Sequence, residues 1–106
     1  MRVVSLREAT AQRGIVLMFD EVVTGFRCAP GGAQEALGVT PDLTALGKIV
    51  AGAMHGAALV GRADIMNRLD HRAAAAGGFE KVGHQGTYNA MPTTCAAAVA
   101  TLQIIK

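Results

Sequence analysis

Residues 15–19, Ile-Val-Leu-Met-Phe, form an unbroken apolar run that ends at an acid, Asp20. A run of this length, rich in β-forming side chains, is too short for a helix and predicts a strand buried on both faces of a parallel sheet. Asp20 would then lie at the carboxyl end of that strand. Because open α/β sheets bind ligands beyond the carboxyl ends of their strands, we predict that Asp20 faces a ligand.

The residues before this run predict a short helix. Ser5 and Glu8 have the spacing of a capping box, in which the serine side chain accepts a hydrogen bond from the helix backbone and the glutamate reaches back to the serine. We expect Gly14 to end this helix, because glycine readily adopts the left-handed conformation found after a last helical turn.

The residues after the run predict further short elements, separated by glycine and proline. They are a helical turn at residues 33–37 closed by Gly38, strands at residues 42–46 and 56–60, a short helix at residues 64–69, a small-residue loop at residues 73–78, and a buried helix at residues 92–106. The alternation of strands and helices favours an α/β fold, and no linker or repeat marks a second domain.

The composition is that of one globular domain at most. Of the 106 residues, 51% are hydrophobic, and the mean hydropathy is +0.32. A net charge of +2 is too small to indicate a nucleic-acid partner. No apolar stretch is long enough to cross a membrane, and two cysteines are too few for a disulfide scaffold, so we expect a cytoplasmic protein.

A second candidate residue, Lys48, follows Gly47 in a segment of small residues. Together with Asp20 it supplies the two groups that hold pyridoxal phosphate in a protein. A carboxylate keeps the ring nitrogen of this cofactor protonated, and an amine forms a Schiff base with its aldehyde. We therefore predict that Asp20 and Lys48 converge on one pyridoxal phosphate.

The chain resembles the class III pyridoxal-phosphate-dependent aminotransferases, and most of all their glutamate-1-semialdehyde 2,1-aminomutase branch. The resemblance is carried by residues 19–27, 31–34, 38–48 and 86–87, with Pro92 and the alanine-rich segment after it. It implies a three-layer α/β/α sandwich that forms part of the large domain of a fold type I transferase. Residues 1–106 would be the incomplete central part of that pyridoxal-phosphate-binding domain, without a second domain.

The resemblance also implies roles for individual residues. Lys48 would hold the cofactor as an internal aldimine and later shuttle the substrate proton, and Asp20 would pair with the pyridine nitrogen. Val22 would pack on one face of the ring. Gly86 and Thr87 would contact the cofactor phosphate, usually from the neighbouring subunit of a homodimer.

Other residues of the same motifs receive no role from the sequence. Glu21, Arg27 and Gln34 match the family pattern, but no chemistry follows from their positions. The histidines and cysteines lack the spacing of metal ligands, so we expect no metal site. Met91 stands where relatives usually have an asparagine, and the lost helix cap costs about 0.5–2 kcal/mol unless Asn89 or Thr93 replaces it.

The expected reaction is the transfer of an amino group, with an amino acid or amine and a keto or aldehyde compound as substrates. Whether the group moves between two molecules, as in a transaminase, or within one, as in an aminomutase, stays open. We expect the chain alone to be inactive and not to fold cooperatively, since a partial sheet exposes edges and apolar faces.

Two other interpretations remain. One is a non-catalytic, truncated remnant that only packs or dimerises. The other is a nucleotide hydrolase in which Asp20 and Glu21 bind magnesium, although the glycine-rich phosphate loop that such an enzyme needs ahead of this strand is absent from the sequence.

Overall fold

Helices and strands alternate along residues 2–105, the part of the chain that this computed structural model describes. The helices are α1 (Arg2–Gln12), α2 (Gly32–Leu37), α3 (Ala63–Met66), α4 (His71–Gly77) and α5 (Pro92–Ile104); the strands are β1 (Met18–Glu21), β2 (Leu43–Leu46) and β3 (Ala58–Gly61). Two 3₁₀ turns lie at Lys48–Ala51 and Asn67–Leu69. Lys106, the last residue of the predicted final helix, lies outside the described residues.

The three strands form one sheet in the order β1-β2-β3. Strands β1 and β2 are parallel, with Met18 opposite Leu43, whereas β2 and β3 are antiparallel, with Leu43 opposite Gly61. The antiparallel third strand departs from the parallel sheet that residues 15–19 predict. The connection between β2 and β3 is shorter than the dozen or more residues that a parallel crossover requires, so the chain must return in the opposite direction.

Helices lie on both faces of the sheet, which confirms the predicted α/β class. On one face, Gln34 of α2 donates hydrogen bonds from Nε2 to Glu21 Oε1 (3.2 Å) and Thr44 Oγ1 (3.4 Å). On the other face, Leu43 of β2 shares a cleft with Ile65 of α3. The layers are therefore helix, sheet and helix.

The first strand begins later than predicted and is not buried on both faces. It spans Met18–Glu21, and Ile15, Val16 and Met18 are about half exposed, while Leu17 is buried. Within the described residues β1 pairs only with β2, so it is an edge strand. Ile15, Val16 and Met18 are half exposed because no neighbouring element in this part of the chain covers them. Because of this shift, Asp20 lies within the strand and not after it.

The helix predicted before the first strand is present as α1, but the predicted capping residue of this helix and a predicted loop are wrong. Ser5 lies inside α1, which begins at Arg2, so Ser5 does not stand at the capping position. The small-residue segment predicted as a loop forms α4. Asp70 caps this helix by accepting hydrogen bonds from the Arg72 and Ala73 N–H groups, and Gly78 closes it in the left-handed conformation. Alanine is the strongest helix former, so a capped alanine run is a helix and not a loop.

Helix α5 begins at Pro92 as predicted, but it is not buried between layers. Val99 is 56% exposed and Ile104 81%, and the helix packs mainly on the 3₁₀ turn Lys48–Ala51. In the part of the chain that the structure describes, most residues of this helix are exposed to solvent. No side chain caps it at Met91, so the expected loss of the cap is confirmed.

Candidate active site

Asp20 and Lys48 lie at the same end of the sheet, where the parallel strands β1 and β2 have their carboxyl ends. Asp20 lies near the carboxyl end of β1, directly opposite Ala45 of the parallel strand β2. Two residues beyond the end of β2, Lys48 begins a 3₁₀ turn. Gly47 is extended, so Lys48 lies about 10 Å farther along the strand direction than Ala45, at about 3.3 Å per residue.

The Asp20 side chain is exposed and held by one local hydrogen bond. Its Oδ1 accepts from the Val22 backbone N–H at 3.0 Å. Within the described residues no cation forms an ion pair with this carboxylate. One carboxylate oxygen is thus free of protein partners in this part of the chain and can accept from a ligand.

The Lys48 side chain is also exposed, and its backbone is unusual. The φ angle of Lys48 is +50°, in the left-handed region, where a residue other than glycine costs about 1–2 kcal/mol. Among residues 2–105, its amine forms neither a hydrogen bond nor an ion pair. Strained backbone of this kind is enriched at functional sites.

Val22 packs beside the backbone that carries Lys48. A Cβ atom added to Gly47 would lie 3.2 Å from Val22 Cγ1, which is a tight contact. Glycine at this position therefore lets the Val22 side chain approach the chain one residue before Lys48. The structure brings Val22 and the Lys48 segment together and places Asp20 two residues before Val22.

Gly86 and Thr87 lie in the exposed connection between α4 and α5. The Asn89 N–H donates to the Gly86 carbonyl at 3.1 Å, which forms a tight turn. In the described part of the chain, no hydrogen bond joins this turn to Asp20 or Lys48. Their contact with a cofactor phosphate stays a prediction.

Glu21 is one of the residues that the sequence left without a role. Its side chain is only 2% exposed, and its carboxylate accepts hydrogen bonds from the Ala33 N–H, the Gln34 N–H (3.1 Å), Gln34 Nε2 (3.2 Å) and Thr24 Oγ1 (3.0 Å). Burial raises the pKa of Glu21, but these bonds outweigh it and hold the pKa below the ordinary value of 4.5. Glu21 thus joins β1 to the start of α2.

Gly32 makes room for that carboxylate. Its φ angle is +77°, and a Cβ atom at this position would collide with the Glu21 carboxylate. Both observations require glycine. The alternation of side chains along a strand is the one sequence signal for Glu21, because it directs Glu21 to the face opposite Asp20.

A buried acid, Asp42, lies directly before the amino end of β2, and both of its carboxylate oxygens accept hydrogen bonds. It accepts from the Leu17 N–H (2.8 Å), Arg7 Nη1 (2.8 Å) and Arg62 Nη1 (3.0 Å). The Leu17 N–H and then the two arginines lower the pKa of Asp42 to about 2. Asp42 therefore ties together α1, the start of β1 and the end of β3.

Two further features bear on other kinds of function. In the described ranges, no group of three histidine, cysteine or acidic side chains could hold a metal ion. None of the helices formed by residues 2–105 is both apolar enough and long enough to pass through a bilayer.

Comparison with known proteins shows a match along nearly the whole chain. The model of a protein family described as aminotransferase class-III matches residues 3–106. The glutamate-1-semialdehyde 2,1-aminomutase of Rhodopirellula baltica is 52% identical over 100 residues, which cover 94% of this chain and 21% of that protein. The chain thus spans about a fifth of the length of this relative.

Solved structures give the same result. An omega-transaminase from Sphaerobacter thermophilus superposes with a TM-score of 0.85 at 42% identity, covering 98% of this chain and 23% of that one. A transaminase with PLP bound superposes with a TM-score of 0.82 at 34% identity, covering 95% of this chain and 23% of that one. These matches confirm the predicted family, its fold and the family's cofactor.

Proposed function

The chain belongs to the class III aminotransferase family, and from that premise we propose that its Lys48 and Asp20 serve a pyridoxal-phosphate-dependent transfer of an amino group. The observation that carries the proposal is the parallel register of β1 and β2. It puts an acid and an amine at the same edge of the sheet, and both are exposed and unpaired within the described residues.

The residues present fit the cofactor. Asp20 offers a carboxylate oxygen that no described residue occupies, and Lys48 offers an amine without an ionic partner. Val22, whose side chain lies against Gly47, provides an apolar surface next to the Lys48 segment for a flat ring. When bound, pyridoxal phosphate supplies an electron sink for the charge left on the substrate carbon after its proton departs.

Each side chain has a distinct task in this proposal. Asp20 holds a proton on the pyridine nitrogen, because a carboxylate beside that nitrogen favours its charged form. Lys48 would hold the cofactor through its Nζ, and its amine would accept the substrate's α proton. Val22 limits the position of the ring on one face. Gly86 and Thr87 contact the phosphate of a cofactor bound to the partner of a cytoplasmic homodimer.

The substrates are an amino acid or amine and a keto or aldehyde compound. The Rhodopirellula relative is named an aminomutase and the Sphaerobacter structure an omega-transaminase, with identities of 52% and 42% to this chain. The higher identity favours transfer of the amino group within one molecule. A test with a single amino aldehyde, and then with separate amino donors and acceptors, distinguishes the two reactions.

The chemical pair can be tested in a chimaera in which this chain replaces the segment of the Rhodopirellula aminomutase that it matches. We expect the chimaera to bind pyridoxal phosphate with a visible absorption band, and we expect sodium borohydride to bleach this band and fix the cofactor covalently to the protein. Lys48→Ala should abolish this fixation. Lys81→Ala, which removes another exposed lysine, is the matched control and should leave it unchanged. Fixation that persists in Lys48→Ala refutes the proposal.

The non-catalytic interpretation concerns the 106 residues alone. We propose that these residues form the central part of a cofactor-binding large domain and are inactive without the rest of it. The many half-exposed apolar side chains support this, among them Val16, Met18 and Val99. The isolated chain should bind no pyridoxal phosphate, and turnover by the isolated chain would refute this part of the proposal.

The magnesium interpretation receives no support from the geometry. The Glu21 carboxylate is buried and surrounded by four hydrogen-bond donors, so it has no oxygen left for a metal ion. Titration of the chimaera with magnesium and a nucleotide should show no hydrolysis.

A further inference from the structure

The residue next to Asp20 is anchored far more firmly than Asp20 itself. We propose that Glu21 is a positioning residue for Asp20: by fixing the end of β1 to the start of α2, it fixes the direction in which the Asp20 carboxylate points. This inference rests on the proposed function, because it assumes that the direction of Asp20 matters for the reaction.

The two acids are coupled through the strand backbone. Successive side chains of a strand point to opposite faces, so Asp20 shares a face with Ala45 and Glu21 shares the other with Leu46. A rotation of the backbone that swings one side chain must swing the other. Holding Glu21 on the α2 face therefore holds Asp20 on the opposite face.

The strength of the anchor differs greatly between the two acids. Asp20 has one hydrogen bond, to the backbone two residues away. Glu21 has four, and three of them come from Ala33 and Gln34, which belong to a different segment. Of these two acids, Glu21 is therefore the one that can transmit the position of α2 to the strand.

The backbone of Glu21 is held as well as its side chain. Its carbonyl accepts from the Gly25 N–H at 2.9 Å, and a Cβ atom at Gly25 would lie 2.8 Å from that carbonyl and 2.7 Å from Leu46 Cδ2. The peptide that follows Glu21 is thus clamped between the loop after β1 and the end of β2. Little freedom is left for Asp20 to rotate.

The test replaces Glu21 by glutamine in the chimaera. The amide keeps one accepting oxygen but turns N–H donors toward the donors that surround the other, so the anchor is weakened by about half while the size is kept. We expect kcat to fall about 10- to 100-fold with KM changed less than about 3-fold, since a displaced catalytic group affects the reacting geometry more than substrate binding. The affinity for pyridoxal phosphate should fall in parallel, measured by titration of the visible absorption.

Matched variants separate positioning from a general loss of stability. Asp42→Asn removes a buried carboxylate of the same sheet at its other end, and it should lower Tm but leave kcat and cofactor affinity unchanged. Gln34→Met removes one bond to Glu21 without changing any charge, and it should give a smaller loss of kcat in a protein that folds. Glu21→Asp should restore part of the activity lost in Glu21→Gln.

The outcomes distinguish this inference from the function on which it rests. If Lys48→Ala retains borohydride fixation, the proposed function fails. If Lys48→Ala loses it, but Glu21→Gln and Gln34→Met keep the kcat and cofactor affinity of the chimaera, or lose only as much as Asp42→Asn does, only the positioning role of Glu21 is overturned. A change in the pH dependence of the visible absorption in Glu21→Gln, absent in Asp42→Asn, supports the positioning role.

Discussion

The two ends of the sheet use the same kinds of charged side chain in opposite ways. At the amino end of β2, Asp42 is buried and bound by Arg7 and Arg62 together with the Leu17 N–H. At the carboxyl end, Asp20 and Lys48 are exposed and, within residues 2–105, form no ion pair.

This difference shows which charges maintain the fold and which are available for chemistry. Asp42 satisfies its carboxylate by joining three segments, so its removal disturbs packing. The carboxyl end leaves an acid and an amine unsatisfied and places Lys48 in a strained conformation, arrangements that favour function at a cost in stability. The carboxyl end, with the exposed side chains of Asp20 and Lys48, is called the open end. Glu21, a buried acid next to Asp20, fixes the backbone there.

The strongest test of the comparison is Asp20→Asn in the chimaera. Asparagine is the same size but cannot stabilise a protonated ring nitrogen, so we expect kcat to fall about 100-fold or more. The Tm without cofactor should change little, because Asp20 is exposed and forms only a local hydrogen bond. Steady-state kinetics and thermal unfolding measure the two effects.

The reverse pattern is expected for Asp42→Asn, with a lower Tm and unchanged kcat. A chimaera in which Asp20→Asn unfolds at much lower temperature while keeping its activity would show that the two ends do not differ in the way described.

The second prediction concerns how the stability that Asp42 provides depends on pH. The pKa of Asp42 is lowered from 3.8 to about 2, so its ionised form stabilises the folded state at every pH above 3.8. This contribution is lost as pH falls from 3.8 toward 2, because protonation then becomes favourable in the folded state too. The Tm difference between the chimaera and its Asp42→Asn variant should therefore be constant near neutral pH and shrink across this interval. A difference that grows on acidification contradicts the assignment.

The sequence predicted where helices and strands lie along the chain better than it predicted their burial and their long-range hydrogen bonds. Local signals suffice for the C-cap at Gly38 and the start of α5 at Pro92, and both are found in the structure. They also placed Asp20 and Lys48 near the ends of two strands. These features depend on neighbours along the chain, which a sequence displays directly.

The anchors could not be predicted because their partners are distant in sequence. Glu21 is bonded to Ala33 and Gln34, and Asp42 to Leu17 and Arg7, and no local pattern marks such pairs. Burial was predicted wrongly for the opposite reason. Apolarity shows that a residue can be buried, but only a neighbouring element covers it.

A third prediction compares the glycines at the two ends of α2, Gly32 and the C-cap Gly38, which share a left-handed conformation. Gly32 and Gly38 have φ angles of +77° and +63°, so alanine at either position costs about 1–2 kcal/mol. A Cβ atom at Gly38 meets open space, whereas at Gly32 it displaces the Glu21 carboxylate, which adds roughly 1–3 kcal/mol. Only Gly32→Ala should also reduce cofactor affinity. Equal effects of the two substitutions on Tm and affinity would show that Glu21 does not support the open end.

The smallest expected effect is a gain in stability beside the open end. Helix α5 packs on the 3₁₀ turn that begins at Lys48, and Met91 leaves the start of this helix without a side-chain cap. Met91→Asn should stabilise the fold by about 1 kcal/mol, because asparagine accepts from the free N–H groups of the first turn. Met91→Leu, which cannot cap, is the control. We expect Met91→Asn to raise Tm and leave kcat constant, because the exposed charges of Asp20 and Lys48 are unchanged. A fall in kcat would mean that the mobility of α5, and not these charges, sets the rate.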